Sequence, residues 1–470
     1  MRRKAGIAVA ACAAVMLAGV AGVTAWQYAG SDDGRPVGTW HDPPGVARTP
    51  VAAEQPGVRD SGPAFFSPSP SPSHAPSATG RASASPAEPL PATSAVPKDQ
   101  TERFESATTT RQQVGQLLSE QRMLDYQGAG PKRETFRYPG ASYVKLHFGR
   151  LALLPGDYLT VSNADGTESY RYGASGAPDA DLVDKWAMSV TGDTAVLEVH
   201  RGTASAPTAE AGTLGVGVDR VARGFSRTEQ GRQPEKQIFA PGRTGREESV
   251  CGSDTSTDAV CYRTTDPVAY TKSKAIARLL INGTELCTGW RVGTQNRMLT
   301  NNHCFATTAA ADGTEVWFNY QCATCGGYDV VKPAKVWGAK VLSTDHLYDY
   351  TLFSVDNFAA VQKFGYLTLD AVRPAKDQGL YVPQHPAGEP TRIAGSLGDQ
   401  ASNCAVVNAG YDGYAPRSDV AYYCDTEGGS SGSPVLSRRT HKVVALHHFG
   451  GCPNSGVRAD LLAVKLRGLV

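Results

Sequence analysis

The chain has 470 residues, too many for one ordinary domain, so two or three folded units are expected. Its formal net charge is +1, which excludes a global electrostatic attraction to nucleic acid or to an acidic membrane surface. Of its 10 cysteines, Cys12 stands alone near the start and the rest fall between Cys251 and Cys452, a shift in composition that reads as a domain boundary.

The first 25 residues read as a signal peptide: a basic "MRRK", an apolar run of small residues, and "VTA", a small-residue cleavage site after Ala25. The run from Ala5 to Ala25 is also about long enough to cross a bilayer, so an uncleaved anchor is the alternative. Either way the chain is expected outside the cell, secreted or held at the surface, where disulfides persist. Residues 26–100 are rich in Pro, Ser and Ala, with "FSPSPSPSHAPSATG" at their centre, and read as a disordered linker. "TRQQVGQLLSEQRML" reads as a short helix. In "SYVKLHFGRLALLPGDYLTVSNADGTESYRYG" and "DKWAMSVTGDTAVLEVHR", alternating apolar residues and Pro-Gly and Asp-Gly turns spell short strands. Tyr138 to Val221 is thus expected to form a small β-sandwich or jelly-roll-like unit within a β-rich prosegment or accessory module, residues 101–246. The polar, basic "RGFSRTEQGRQPEKQIFAPGRTGREE" that follows reads as exposed, with cleavage expected near Arg243 or Arg246. Residues 247–470 alternate strand-like runs ("AIARLLI", "EVWFNYQ", "DYTLFSV", "GLYVPQ", "KVVALHHF") with turns and read as an all-β barrel or sandwich domain.

Three signals in this last domain fit one chemistry: "TNNHC" with His303, "YDYTLF" with Asp349, and "GGSSGSP" with Ser431. A serine hydroxyl is a poor nucleophile until an imidazole takes its proton, and that imidazole needs a carboxylate to fix its tautomer. The N–H groups of Gly429 and Ser431 would form the oxyanion hole, worth on the order of 3 kcal/mol per donor. Gly432 would let the chain turn without obstructing a substrate. Taken singly, each signal has a bland reading: a structural His beside a Cys, a turn Asp, a Gly/Ser loop. Their order, His then Asp then Ser in one all-β domain, joins them.

These motifs resemble those of trypsin-like (chymotrypsin-fold) serine peptidases, with the bacterial lysyl endopeptidases and the glutamyl-endopeptidase-like group nearest. The resemblance runs from about Ser249 to Val470 and is supported by "CTGW", "VWFNYQ" and "HPAGEPTRI". It implies two six-stranded β-barrels with the site between them, preceded here by the β-sandwich-like module and the linker, and it carries the triad roles onto His303, Asp349 and Ser431. Ser430 departs from the trypsin pattern, in which an acid precedes the nucleophile and captures a newly cut N-terminus; activation by that salt bridge is not expected. His448, in "LHHFGG", stands near the place where a serine is commonly found beside the triad carboxylate.

Cys287 and Cys304 flank the strand and turn that deliver His303, and closing that loop is worth roughly 3 kcal/mol in the chain-entropy model. Similarity to lysyl endopeptidases implies Cys251–Cys452 and Cys261–Cys325. Cys404 and Cys424 remain to staple the loop before the nucleophile turn, which leaves Cys322 unpaired. "CATC" has no second cysteine pair at zinc spacing, so no metal is called for, and nothing calls for a cofactor. Three residues are candidates for selecting the substrate residue before the cut: Asp425, six positions before Ser431; Asp460, in the C-terminal region where lysyl endopeptidases carry their selecting acid; and His448, which in glutamyl endopeptidases lies beside the substrate carboxylate. Lys/Arg selection is the expectation, Glu selection the alternative. His385 and His447 read as packing residues. The expected function is a secreted endopeptidase made as a precursor, acting as a monomer on protein or peptide substrates, without nucleic acid and with a membrane only if the N-terminal segment is retained. A surface-tethered peptidase and a non-enzymatic binding protein on a peptidase scaffold are the alternatives.

Overall fold

The computed structural model describes residues 36–39, 111–125, 132–154, 156–173, 185–202, 214–235, 250–395 and 404–470. The signal or anchor segment, most of the linker, and Arg243 and Arg246 lie outside the described residues. No helix among the described residues is long and apolar enough to cross a membrane.

The first folded part is a sandwich of two antiparallel sheets. One has the order Lys132–Arg137, Thr194–His200, Tyr158–Ser162, Ser169–Gly173; the other has Gly115–Asp125, Gly215–Gly224, Tyr143–Ala152, Lys185–Trp186. Inward residues of both sheets, among them Phe136, Leu159 and Leu197 from one and Val144, Leu146 and Val218 from the other, make a single core. The stretch expected to be a helix is instead Gln112–Gln113 and the strand Gly115–Asp125. Its partner explains the difference: Gly115 to Asp125 pairs antiparallel along Gly224 to Gly215, and tertiary pairing overrides the helical preference of Gln, Leu and Glu. Pro36–Thr39, within the stretch read as linker, pairs with Asp329–Val331, a short strand with an edge to offer.

Residues from Ile276 onward form two barrels. In the first, Ile276–Ile281, Glu285–Arg291, Met298–Thr300, Tyr350–Val355, Ala334–Asp345 and Thr314–Phe318 close into a six-stranded ring, because Ile276–Ile281 pairs with both Glu285–Arg291 and Thr314–Phe318. Leu279, Ile281, Met298, Val316 and Phe353 fill its interior. In the second, the path Leu380–Gln384, Pro434–Ser437, Val443–Phe449, Asn454–Arg458, Asp419–Tyr422, Val406–Tyr411 returns to its start. A bridge between Gly379 and Ala405, with Leu380 N–H donating to the Cys404 carbonyl at 2.8 Å, closes it. Val382, Val406, Val420, Tyr422 and Val435 fill this second interior. A third cluster joins the barrels, with Trp290, Leu299 and Leu352 from one, Tyr381, Leu446 and Val457 from the other, and Leu462 from the C-terminal helix Ala459–Lys465. This is the expected two-barrel chymotrypsin-like architecture.

Candidate active site

His303 follows the strand Met298–Thr300 and Asp349 immediately precedes Tyr350–Val355, so both hang from the first barrel. Asp349 is fully buried at a φ of 39°, a left-handed conformation pinned by Asn301, whose Nδ2 donates to the Asp349 carbonyl at 2.9 Å. The turn aims the carboxylate at His303. The His303 main-chain N–H donates to Oδ1 at 3.0 Å, and the ring Nδ1 lies 2.8 Å from Oδ2. Asp349 Oδ2 is also 3.1 Å from Nδ1 of His448, on the strand Val443–Phe449 of the second barrel. His448 Nε2 is in turn 2.7 Å from Asp419 Oδ2. Asp419 completes its shell with the hydroxyls of Ser455 at 2.9 Å and Ser418 at 2.7 Å. The result is a buried row, His303–Asp349–His448–Asp419, that crosses from one barrel to the other.

Charge fixes the protons in this row. Burial pulls the His448 pKa down, but Asp419 and Asp349 outweigh it and push it up to about 9. Burial likewise favours a neutral Asp349, yet His303 and His448 hold its carboxyl well below the usual range; His448 does the same for Asp419. His448 is therefore an imidazolium at neutral pH, donating from both nitrogens to two carboxylates. Asp349 can then only accept, which places a proton on His303 Nδ1 and leaves Nε2 with its lone pair. That Nε2 is buried and has no hydrogen-bond partner among the described residues.

The second barrel supplies the turn that carries Ser431, Glu427 to Ser433. Ser430 N–H donates to the Glu427 carbonyl and Ser433 N–H to the Ser430 carbonyl, both at 2.9 Å, while Glu427 N–H donates to Ser430 Oγ at 3.1 Å. The N–H groups of Gly429 and Ser431 donate to no described residue. Gly429 and Gly432 have φ of 98° and 88°. A Cβ on Gly432 would lie 2.1 Å from the Thr288 carbonyl, and one on Gly429 would lie 2.3 Å from Leu286, so neither position admits a side chain. Thr288, in "CTGW", ties the turn to the histidine. Its N–H donates to the Ser431 carbonyl at 2.8 Å and its Oγ1 to the Gly429 carbonyl at 3.0 Å, while its own carbonyl accepts from Thr300 Oγ1 at 2.9 Å, three residues before His303.

The three specificity candidates separate. Asp425 lies at the foot of the Ser431 turn, buried, its Oδ2 accepting from Thr255 N–H at 2.8 Å and Thr255 Oγ1 at 2.5 Å. Asp460 is elsewhere, in the first turn of the C-terminal helix and ion-paired with Arg458. His448 is held on both sides, by Asp349 at 3.1 Å and Asp419 at 2.7 Å. His385 sits beneath the turn, buried, its Nδ1 3.1 Å from the Glu389 carbonyl; His447 Nδ1 is 2.7 Å from the Tyr422 hydroxyl. Burial pushes both imidazoles down to about 3. Among the described residues four disulfides are present: Cys251–Cys452, Cys261–Cys325, Cys287–Cys304 and Cys404–Cys424. They fit an extracellular protein. Cys322 is free and buried, and desolvation pushes its thiol far up. Cys287, His303 and Cys304 have ligand atoms within 4.8 Å of one another, but both sulfurs are in the disulfide and cannot serve a metal. Sequence reasoning missed Asp419, Asn301, Thr288 and Thr255. Each is an ordinary strand or turn residue whose partner lies 48 or more positions away, or 29 for Asp419 and His448, so no local spacing marks it.

Residues 251–460 match the family described as the lysyl endopeptidase C-terminal domain. The secreted RxLR effector protein 73 of Plasmopara viticola is 32% identical over 346 residues, covering 70% of this chain and 81% of that protein. That share of the chain exceeds the stretch from Cys251 to Val470, so the similarity extends into the residues before Cys251. Among solved structures, a Glu endopeptidase in complex with MPD is 22% identical with a TM-score of 0.33, covering 46% of this chain and 96% of its own. A protease from M. tuberculosis in its active form is 14% identical with a TM-score of 0.32, covering 49% and 92%. With its two barrels and the match to the lysyl endopeptidase domain, the chain belongs to the trypsin-like, chymotrypsin-fold serine peptidases.

Proposed function

We propose that the protein is an exported serine endopeptidase in which Ser431 is the nucleophile, His303 the general base and Asp349 the group that orients it. His303 Nε2 takes the Ser431 proton as Oγ attacks the scissile carbonyl, and the same nitrogen returns it to the leaving amine. Asp349 stabilises the imidazolium formed in between. The oxyanion is received by the Gly429 and Ser431 N–H groups, and water then hydrolyses the acyl-enzyme by the same route in reverse. The observation that carries this reading is the asymmetry of His303: Nδ1 locked to a buried carboxylate, Nε2 buried and open.

Cleavage after Lys or Arg is the specificity we assign. It is supported by the family match and by Asp425, the one of the three candidates that lies at the foot of the nucleophile turn without a basic partner. A peptide panel varying only the residue before the cut, tested on the full chain, Ser431→Ala and Asp425→Asn, decides it. Turnover after Lys or Arg should fall by at least about 10⁴-fold in Ser431→Ala. Asp425→Asn should lose the basic preference while still cutting. Cleavage after Glu would move the pocket away from Asp425, and no cleavage by any form would leave a binding protein on a peptidase scaffold.

A further inference from the structure

The strands Ile276–Ile281, Glu285–Arg291 and Thr314–Phe318 are buried along their whole length. Successive strand residues face opposite sides, so a strand buried at every position is covered on both. One side is the interior of the first barrel, with Ala277, Leu279, Ile281, Val316 and Phe318. The other carries Arg278, Leu280, Leu286, Glu315 and Trp317, and what covers it is the sandwich.

The cover is matched in charge. Lys145 of the sandwich reaches Glu315 of the barrel at 2.6 Å, and Lys335 of the barrel reaches Glu168 of the sandwich, also at 2.6 Å. The two pairs run in opposite directions, and all four side chains are at most 1% exposed. Ser189 of the sandwich adds its N–H at 3.0 Å and its hydroxyl at 2.6 Å to Glu315, while Trp317 Nε1 donates to the same carboxylate at 2.7 Å. Val114 and Tyr143 pack with Leu280, Leu286, Trp317 and Tyr320, and the buried Arg278 guanidinium lies among the rings of Tyr143, Trp317 and Tyr320. Gln112–Gln113 adds a strand to the edge of Glu285–Arg291, and Val114 N–H donates to the Thr284 carbonyl at 2.8 Å. Two contacts reach the catalytic region: Arg111 donates to the Cys304 carbonyl at 2.7 Å, beside His303, and Glu235 accepts from Gly428 N–H at 3.0 Å, beside Gly429.

We propose that residues 111–235 are a permanent subunit of the working enzyme, so that a cut between Glu235 and Val250 leaves this module seated on the outer face of the first barrel as a second, non-covalent chain. A bare residue 250–470 domain would expose Trp317, Tyr320, Leu280 and Leu286 as one apolar patch around an unpaired Glu315, the kind of surface a stable monomer does not present. That the assembly is the working form rests on the peptidase reading; that the two pieces stay together does not.

The test inserts a recognition sequence for an unrelated site-specific protease between Pro241 and Gly242 of the full chain. In a Ser431→Ala background the chain is cut to completion and passed through a size-exclusion column at about 1 µM, where millimolar partners would separate. Both fragments should elute together at the volume of the uncut chain; two separate peaks would overturn the proposal. The same experiment in Lys145→Met/Lys335→Met, whose uncut chain is checked by near-UV circular dichroism, should give two peaks. Co-elution there would overturn the paired lysines as the basis of docking. With Ser431 intact, the cut complex should keep its activity within about twofold, whereas activity appearing only after the module is stripped off would overturn the permanent-subunit assignment. Absence of activity in every form, with co-elution intact, would instead sink the peptidase reading.

Discussion

His448 sits between two buried carboxylates, and its proton couples the site to pH. Its folded pKa of about 9 is raised above the ordinary 6.5, so its contribution is fully present below pH 6.5 and is lost as pH rises through about 9. The amount is on the order of 3 kcal/mol. Asp349 runs the other way: its depressed pKa adds stability that is fully present above the ordinary carboxylate range and is lost as pH falls below that range through the lowered folded pKa. Urea melts at pH 6, 7.5 and 9.5 should therefore show an alkaline loss, and Asp419→Asn should be less stable at pH 6 and show a flatter decline. An unchanged slope in that variant would remove Asp419 from the row. Asp419→Asn should also lower kcat by about 10-fold or more with little effect on KM, because it loosens the support of Asp349 without touching substrate. At this scale the sequence was partly legible. His448 could be placed beside the Asp349 carboxylate because a strand motif located it, but its other partner could not, since "SDVAYY" looks like any strand start. Cys322 was legible as the odd cysteine, and its burial makes it an inert thiol. Thiol reagents should label it only after denaturation, and a fast native reaction would contradict the burial.

Two elements decide whether the site is assembled. The Ser431 turn stands on glycines at left-handed φ and on Thr288 reaching over from the first barrel. Gly432→Ala should abolish activity and lower Tm, since a Cβ there meets the backbone carbonyl of Thr288 rather than a side chain that could move. Thr288→Val keeps the size but removes both the donor to the Gly429 carbonyl at 3.0 Å and the acceptor of the His385 N–H at 3.2 Å. It should cost roughly 10-fold in kcat along with about 1–3 kcal/mol of stability for the two buried groups left unpaired, and a full kcat at that stability loss would mean that Thr288 serves the fold rather than the turn. The turn was readable because its glycines and serines stand between strand-like runs in one short stretch. The strand at Gly115–Asp125 was not. Its sequence carries a helical preference, and only the facing Gly215–Gly224, ninety or more residues on, holds it extended.

For the whole molecule, period-two patterning and turn residues made an all-β barrel or sandwich domain legible, and the resemblance to trypsin-like peptidases implied its two barrels. Patterning could not show that the outer face of the first barrel is buried. Lys145, Glu315, Lys335 and Glu168 stand at no local spacing that would pair them, and only their meeting across 167 or more residues of chain takes them out of water. Lys145→Met should leave Glu315 short of a partner and lower Tm by about 5–15 °C, in line with the several kcal/mol lost when one member of a buried pair is removed. A change of under about 2 °C would show the pair to be replaceable.

The Cys251–Cys452 bond encloses nearly all of the two-barrel domain. Any single cut between those residues, in whichever loop it falls, leaves both pieces on one covalent molecule. On the proposed endopeptidase function the stored protein is its own nearest substrate, and a nick of this kind cannot shed either barrel with its share of the proposed triad. Autolysis of this protein should therefore be visible on reducing gels well before it appears as lost activity.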